Sequence, residues 1–262
     1  MKRRSFVKQS IIGGAVAAIT PSVAMSHAKT AATEYYELRV YTFKDERQQK
    51  LTEDFYRDVF VPVVKKLTNE PVGVFTEFSP AGQSKFFVLI PYANFAQVDH
   101  LFDQLESDKD YWAKGAAYLN APANDPAFEQ LDTSLLKAFK NSPVKELPAK
   151  EERIFELRQY KSASEAAGKK KVGMFNDKGE IDIFKRLGFK PVFFGETVIG
   201  DNRPNLTYMV TFKNMDDKAA HWKSFVDDAE WKRISAPADY ADALLVSKIT
   251  STMLKPTSYS LI

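Results

Sequence analysis

Apolar and polar residues alternate from Tyr35 to Thr42 (YYELRVYT) and again from Ile154 to Lys161 (IFELRQYK). This period of two predicts a β-strand at each place. After the first strand, Leu51, Phe55, Val59, Phe60, Val63 and Leu67 fall on one stripe and predict a helix over 46–67, with a kink or break at Pro62. Two apolar runs, 72–78 and 85–90, flank Ser79-Pro80-Ala81-Gly82 and predict a hairpin. Asn94 is placed to cap a second helix carrying Phe95, Val98, Phe102 and Leu105, and a strand over 134–140 closes the unit.

The second stretch parses the same way. It gives a strand over 153–161, a helical region over 164–188 interrupted at Asn176-Asp177-Lys178-Gly179, strands over 191–199 and 205–213, a helix over 215–234 and a strand over 243–254. Glu37, Leu38, Arg39 and Tyr41 recur 119 residues later as Glu156, Leu157, Arg158 and Tyr160. The same spacing links Phe75 with Phe194, Glu77 with Glu196 and Trp112 with Trp231, which together read as an internal repeat. Strand, helix, two strands, helix, strand is the ferredoxin-like βαββαβ unit. Each copy covers one sheet face with its helices and leaves the other to be buried, and the partner copy is the nearest surface that can bury it. The expectation is an α+β fold in which two tandem ferredoxin-like repeats, 33–141 and 153–258, form an intramolecular dimeric α+β barrel. The polar, Pro-punctuated segment 142–152 between them reads as a linker.

Composition narrows the function classes. With 262 residues, 44% hydrophobic and 27% charged, the chain can bury a sizeable core, and it contains no Cys. Disulfides, thiolate nucleophiles and Cys-ligated metals are therefore excluded. The formal net charge is +3, but Lys2, Arg3, Arg4 and Lys8 lie in the first 28 residues, which hold no carboxylate. That leaves 33 basic against 34 acidic side chains in the body, without the basic excess of a nucleic-acid binder. Residues 1–28 combine the basic start with an apolar run over 11–19 and a small-residue stretch, the pattern of a cleaved export signal too short to span a bilayer. Arg3-Arg4-Ser5-Phe6-Val7-Lys8 resembles the twin-arginine export motif. Cleavage after Ala24 or after Ala28 fits equally, and the expected destination is the periplasm or another exported location with no stable membrane span.

The Glu-Leu-Arg-x-Tyr repeats, the stretch 174–196 (MFNDKGEIDIFKRLGFKPVFFGE) and Asn205 to Val210 (NLTYMV) resemble the NIPSNAP family over most of residues 34–256. The resemblance implies a dimeric α+β barrel, a superfamily that includes cofactor-free monooxygenases and haem-binding chlorite dismutase-like enzymes. It brings no catalytic motif that maps onto this chain.

Along a strand, residues two apart share a face, so Glu37, Arg39 and Tyr41 point one way and Tyr36, Leu38 and Val40 the other. If the apolar set packs on the helices, Glu37, Arg39, Tyr41, Glu156, Arg158 and Tyr160 face the interior between the sheets, joined by Glu77 and Glu196. Two readings follow. One is a ligand pocket in which arginine anchors an anionic or carbonyl-bearing molecule and tyrosine donates a hydrogen bond. The other is an ion-pair network that fixes how the sheets dock. His100 and His221, each on the second helix of its half, are the histidines that a haem would use, and neither has a metal-ligand spacing. No cofactor or metal is expected. Asp110-Tyr111-Trp112 and Glu230-Trp231 read as aromatic caps, and Lys169-Lys170-Lys171 as a solvated patch. No phosphate loop or Gly-x-Ser-x-Gly elbow is present. The expected function is small-molecule binding or scaffolding in the barrel interior, with a homo-oligomer compatible with it. The alternatives are a cofactor-independent monooxygenase-like enzyme and, more distantly, a haem protein.

Overall fold

The computed structural model describes residues 33–79 and 82–262. The stretch expected to be an export signal, residues 1–28, lies outside the described residues, and no helix among the described residues is long and apolar enough to cross a membrane.

In the first half, strand β1 (Tyr35–Thr42) leads to helix α1 (Glu46–Phe55), a π-helical turn (Tyr56–Phe60) and α2 (Val61–Thr68). The hairpin β2 (Gly73–Glu77) and β3 (Lys85–Tyr92), helices α3 (Phe95–Ser107), α4 (Lys109–Lys114) and α5 (Ala116–Leu119), and strand β4 (Gln130–Ala138) complete it. The second half runs β5 (Ile154–Ser162), α6 (Glu165–Asp177), α7 (Glu180–Arg186), β6 (Lys190–Ile199), β7 (Asn205–Phe212), α8 (Met215–Asp227), α9 (Ala229–Ser235), α10 (Asp242–Leu245) and β8 (Val246–Pro256). Each long helix starts where a short polar side chain accepts a backbone N–H that the helix cannot satisfy. Asp45 accepts from Gln48 at 2.9 Å, Asn94 from Gln97 at 3.1 Å, Ser164 from Ala167 at 3.2 Å and Asn214 from Asp217 at 2.9 Å. The interruption expected near Gly179 is present, with Gly179 at φ 88°, a left-handed conformation that glycine adopts without a Cβ clash.

The eight strands close into one antiparallel barrel in the order β1-β3-β2-β8-β5-β7-β6-β4. Within each half the spatial order is fourth, first, third, second. The seams pair the second strand of one half with the fourth of the other, β2 with β8 and β4 with β6. The two ferredoxin-like copies thus share a continuous sheet, and no strand edge is left open.

Both faces of this sheet are buried. Outside the barrel, Tyr41, Val74, Val88 and Tyr92 pack on the helices of the first half, and Tyr160, Phe194, Tyr208 and Phe212 on those of the second. Inside, Tyr36, Leu38, Phe75, Phe87, Phe155, Leu157, Phe193 and Leu254 form the shared core. The C-terminal segment folds back on β2, with Leu261 N–H donating to Val72 O at 2.9 Å, and the buried Ile262 packs into the same core.

The linker is pinned at several points. Glu146 N–H donates to Val192 O at 2.9 Å, and Lys145 Nζ lies 2.9 Å from Glu34 and 2.6 Å from Glu70. Charged side chains that sit this far from water are held by such double pairing. The segment therefore straps the two halves together.

The register also revises the repeat. Asp45 and Ser164 cap equivalent helices 119 residues apart, but the caps Asn94 and Asn214, and Asp108 and Asp228, are 120 apart. Val74 pairs with Val88 and Phe194 with Tyr208, across from Arg39 and Arg158 respectively. The structural counterpart of Phe194 is therefore Val74, not Phe75, and that of Trp231 is Tyr111, not Trp112. One extra residue in the second half shifts every later match by one position, which in a strand exchanges the faces.

Candidate functional site

The Glu-Arg-Tyr side chains lie on the face opposite to the one expected. Glu37, Arg39 and Tyr41 point out from the barrel toward the helices, as do Glu156, Arg158 and Tyr160, while Tyr36, Leu38, Val40, Phe155 and Leu157 point in. The polar strand residues meet the helices and the apolar ones meet the other sheet, the reverse of the expected arrangement. Here the helix layer carries hydroxyl and indole donors, and apolar side chains pack the narrow interior of the eight-stranded barrel over part of its length.

In the first half Arg39 Nε donates to Glu37 Oε1 at 2.6 Å and its Nη1 to the Tyr56 hydroxyl at 3.2 Å. The Tyr41 and Tyr56 hydroxyls are 2.7 Å apart, Tyr118 donates to Tyr41 at 3.0 Å, and Tyr92 donates to Glu37 Oε2 at 2.6 Å. The π-helical turn begins at Tyr56, whose hydroxyl meets both Arg39 and Tyr41. The guanidinium lies over the Phe60 ring at 5.0 Å. Burial pushes the Tyr56 phenol well above its ordinary pKa, so it remains a neutral donor and acceptor.

The second half binds the same triad differently. Arg158 donates to Glu156 Oε1 at 2.9 Å and to the Tyr160 hydroxyl through Nε at 3.2 Å and Nη2 at 3.0 Å. It stacks over Trp222 at 4.4 Å. Glu156, fully buried, also accepts from Trp222 Nε1 at 2.7 Å and Ser251 Oγ at 2.6 Å, and Lys218 Nζ stands 3.6 Å away. The Glu–Arg pairs are thus formed, with their hydrogen-bonding capacity engaged by protein groups.

Glu77 and Glu196 join neither cluster among the described residues. Glu77, two positions beyond the inward-facing Phe75, lines the barrel interior, whereas Glu196, two beyond the outward-facing Phe194, lies on the helix side.

The histidines stand off the barrel interior. His100 is exposed on α3. His221 is half-buried on α8, its Nδ1 2.8 Å from Asp217 O and its ring 5.2 Å from Phe189 and 5.8 Å from Phe212. These side chains do not form an axial ligand for a haem held in the barrel. No group of three or more His, Asp or Glu side chains among the described residues is arranged to hold a metal ion. Within the lysine run, Lys171 is buried, 3.2 Å from Asp242 and 3.8 Å from Glu180, with the Tyr160, Phe175 and Trp231 rings around its ammonium. The expectation of a solvated patch fails there.

Space for a ligand opens at one end of the barrel. Cross-strand partners divide the interior into layers. Toward one end lie Tyr36, Leu136, Phe155 and Leu254. Next come Leu38, Leu89, Leu157 and Met209 with Ser134 and Thr252, and then Val40 and Phe87 with Asp132, Gln159, Thr207 and Thr250. The apolar packing stops at Leu38, Val40, Phe87 and Leu157, which floor a cavity of about 380 Å³ walled by the polar side chains and Glu77. Neither the position of this cavity nor most of its lining was legible from motifs; the alternation around Gln159 and Thr250 was the available signal. A larger cleft of about 500 Å³ lies under the linker, but its walls include the linker itself and charges of both signs, Glu151, Glu152, Arg153 and Lys190. The barrel cavity has the more sharply built interior, an apolar floor under convergent polar groups.

Among solved structures, a Fusobacterium nucleatum protein provisionally named a monooxygenase is similar with a TM-score of 0.60 at 11% identity, covering 88% of this chain and 95% of its own. A Lactobacillus acidophilus protein named in the same provisional way gives 0.55 at 10% identity over 86% of this chain and 94% of its own. An anthrone oxidase-like protein gives 0.50 at 10% identity over 86% and 92%. At these identities the likeness is one of fold. No curated protein matches the sequence. The family model described as NIPSNAP matches residues 36–143 and 155–261, one match for each half of the barrel, and the chain belongs to the NIPSNAP family.

Proposed function

We propose that this protein binds a small molecule in the polar end of its barrel. The observation that carries the reading is the abrupt end of the apolar core at Leu38, Val40, Phe87 and Leu157, above which about 380 Å³ is lined by hydroxyl, amide and carboxylate groups. Cavities of this size and mixed lining suit small organic ligands. The Glu-Arg-Tyr clusters act in this reading as braces between the barrel wall and the helices, since protein partners already engage them. Native mass spectrometry of the protein purified from its own host tests the idea. A retained mass that is lost in Thr252→Trp, which fills the cavity, is the expected result; no retained mass in the unsubstituted protein counts against it.

A second reading has support in the fold neighbours provisionally named monooxygenases: turnover of an enolisable or phenolic substrate with dioxygen in the same cavity. Oxygen uptake that depends on such a substrate and disappears in Thr252→Trp would favour turnover over binding alone. The site of action belongs to the proposal as well. The Arg3-Arg4 motif supports export by the twin-arginine route, and Arg3→Lys with Arg4→Lys should leave the protein in the cytoplasm on fractionation.

A further inference from the structure

The lining of the barrel cavity is chemically one-sided. Among the described residues, Glu77 Oε2 is buried and has no hydrogen-bond partner, although Glu77 lines an otherwise polar cavity. A carboxylate without a hydrogen-bond or ion-pair partner is costly to keep away from water, and a ligand donor placed against the side of it that lines the cavity removes that cost. Asp132 and Asp201 add two further carboxylates to the wall, and Lys85 is the basic side chain in the lining. Lys85 is one step past the Thr76–Phe86 pair of the hairpin, across from Glu77, yet it is exposed and makes no ion pair with Glu77 among the described residues. Farther out at the rim Lys161 pairs in register with Lys248, beyond the cavity lining.

The acceptor is not balanced by strong donors deeper inside. Ser134, Thr207, Thr250 and Thr252 offer hydroxyls, which can accept as well as donate, and Thr207 Oγ1 is already 3.3 Å from Asn205 Oδ1. Gln159 Nε2 is turned to Thr207 Oγ1 at 3.5 Å. Among the described residues no arginine lines the cavity, so a carboxylate or phosphate ligand would meet three carboxylates without a bidentate partner. An ammonium group would find a charge-assisted acceptor in Glu77, while the apolar part of the same molecule would lie on Leu38, Val40, Phe87 and Leu157.

From the unpartnered Glu77 oxygen, the carboxylate excess and the apolar floor, we infer that the ligand is a small amphiphilic amine whose cationic nitrogen is held by Glu77. This inference rests on the barrel cavity being the binding site and adds the class of molecule that it takes.

Titration calorimetry on the full chain with phenethylamine, phenethyl alcohol and hydrocinnamate, probes of similar size and different charge, tests it at neutral pH. Phenethylamine is expected to bind at least about tenfold more tightly than hydrocinnamate, the scale of one charge-assisted hydrogen bond. Glu77→Gln should lower the phenethylamine affinity by about tenfold and leave phenethyl alcohol within about twofold. Hydrocinnamate binding as tightly as phenethylamine, or a preference for the amine that survives Glu77→Gln, overturns the amine inference and leaves the cavity reading standing. Silence from all three probes overturns both. If Glu77→Gln does not fold, the preference of the unsubstituted protein between phenethylamine and hydrocinnamate decides the ligand class by itself.

Discussion

The two halves carry the same Glu-Leu-Arg-x-Tyr strand and surround it with different neighbours. In the first half Tyr41 meets the hydroxyl of Tyr56, from the π-helical turn; the residue at that helix position in the second half is Phe175, which has none. There the hydroxyl comes instead from Tyr208 on β7, 3.1 Å from Tyr160, where the first half has Val88. Tyr92 donates to Glu37, but Glu156 takes its donors from Trp222 and Ser251. The same requirement, that a carboxylate and a guanidinium behind a helix layer be fully hydrogen-bonded, is met from different elements. What the duplication preserves is the buried charge pair; the donors that satisfy it are interchangeable.

That comparison can be broken most directly at the arginines. Arg39→Met leaves Glu37 with Tyr92 as its donor and strips a partner from Tyr56, and is expected to cost about 3 kcal/mol. Arg158→Met leaves Glu156 with Trp222, Ser251 and nearby Lys218, so the expected loss is smaller, about 2 kcal/mol. Urea denaturation of both variants checks the order; equal losses would mean that the extra donors of the second half do not compensate.

A pH-dependent effect sharpens a further difference between the halves. Where α1 places the buried Thr52, its hydroxyl on Ala127 O at 3.1 Å, α6 places Lys171 beside Glu180 and Asp242. Burial pushes the Glu180 carboxyl up from 4.5 to about 7, while Glu180 and Asp242 overcome the effect of burial on Lys171 and keep it an ammonium. A carboxyl whose pKa rises on folding stabilises the fold at low pH, and this contribution is lost as pH rises from about 4.5 through about 7. Glu180→Gln, which stays neutral, should therefore stabilise the protein by about 2 kcal/mol near pH 8 and change it little near pH 5. Thermal unfolding at the two pH values is the measurement, and an equal effect at both would show that the carboxyl is already ionised at the lower one.

Much of the fold could be read from residue order. The polar caps Asn94 and Asn214, the turn at Gly179 and the apolar stripes locate the helices because their signals are local. Strand β4 begins at Gln130, earlier than the apolar run over 134–140 suggests, because Asp132 and Thr133 pair with Val40 and Arg39 in spite of their polarity. The candidate site was much less legible. Glu77 was singled out for a repeat with Glu196 that the register does not support, and its interior position follows from the face that Phe75 takes. Asp132, Gln159, Thr250 and Thr252 carry no motif; they converge because three strands distant in sequence, β4, β5 and β8, align at one end of a closed barrel.

The sequence by itself determined the two βαββαβ units and the pairing of Glu37 with Arg39 and Glu156 with Arg158, since side chains two apart on a strand are neighbours whatever lies beyond them. Only the tertiary structure decided which side of the strand faces the barrel. Alternation distinguishes two faces but not inside from outside when both are buried, and here the helices together with neighbouring strands on the same outward face, not the facing sheet, supplied the hydrogen-bond partners that charged groups require.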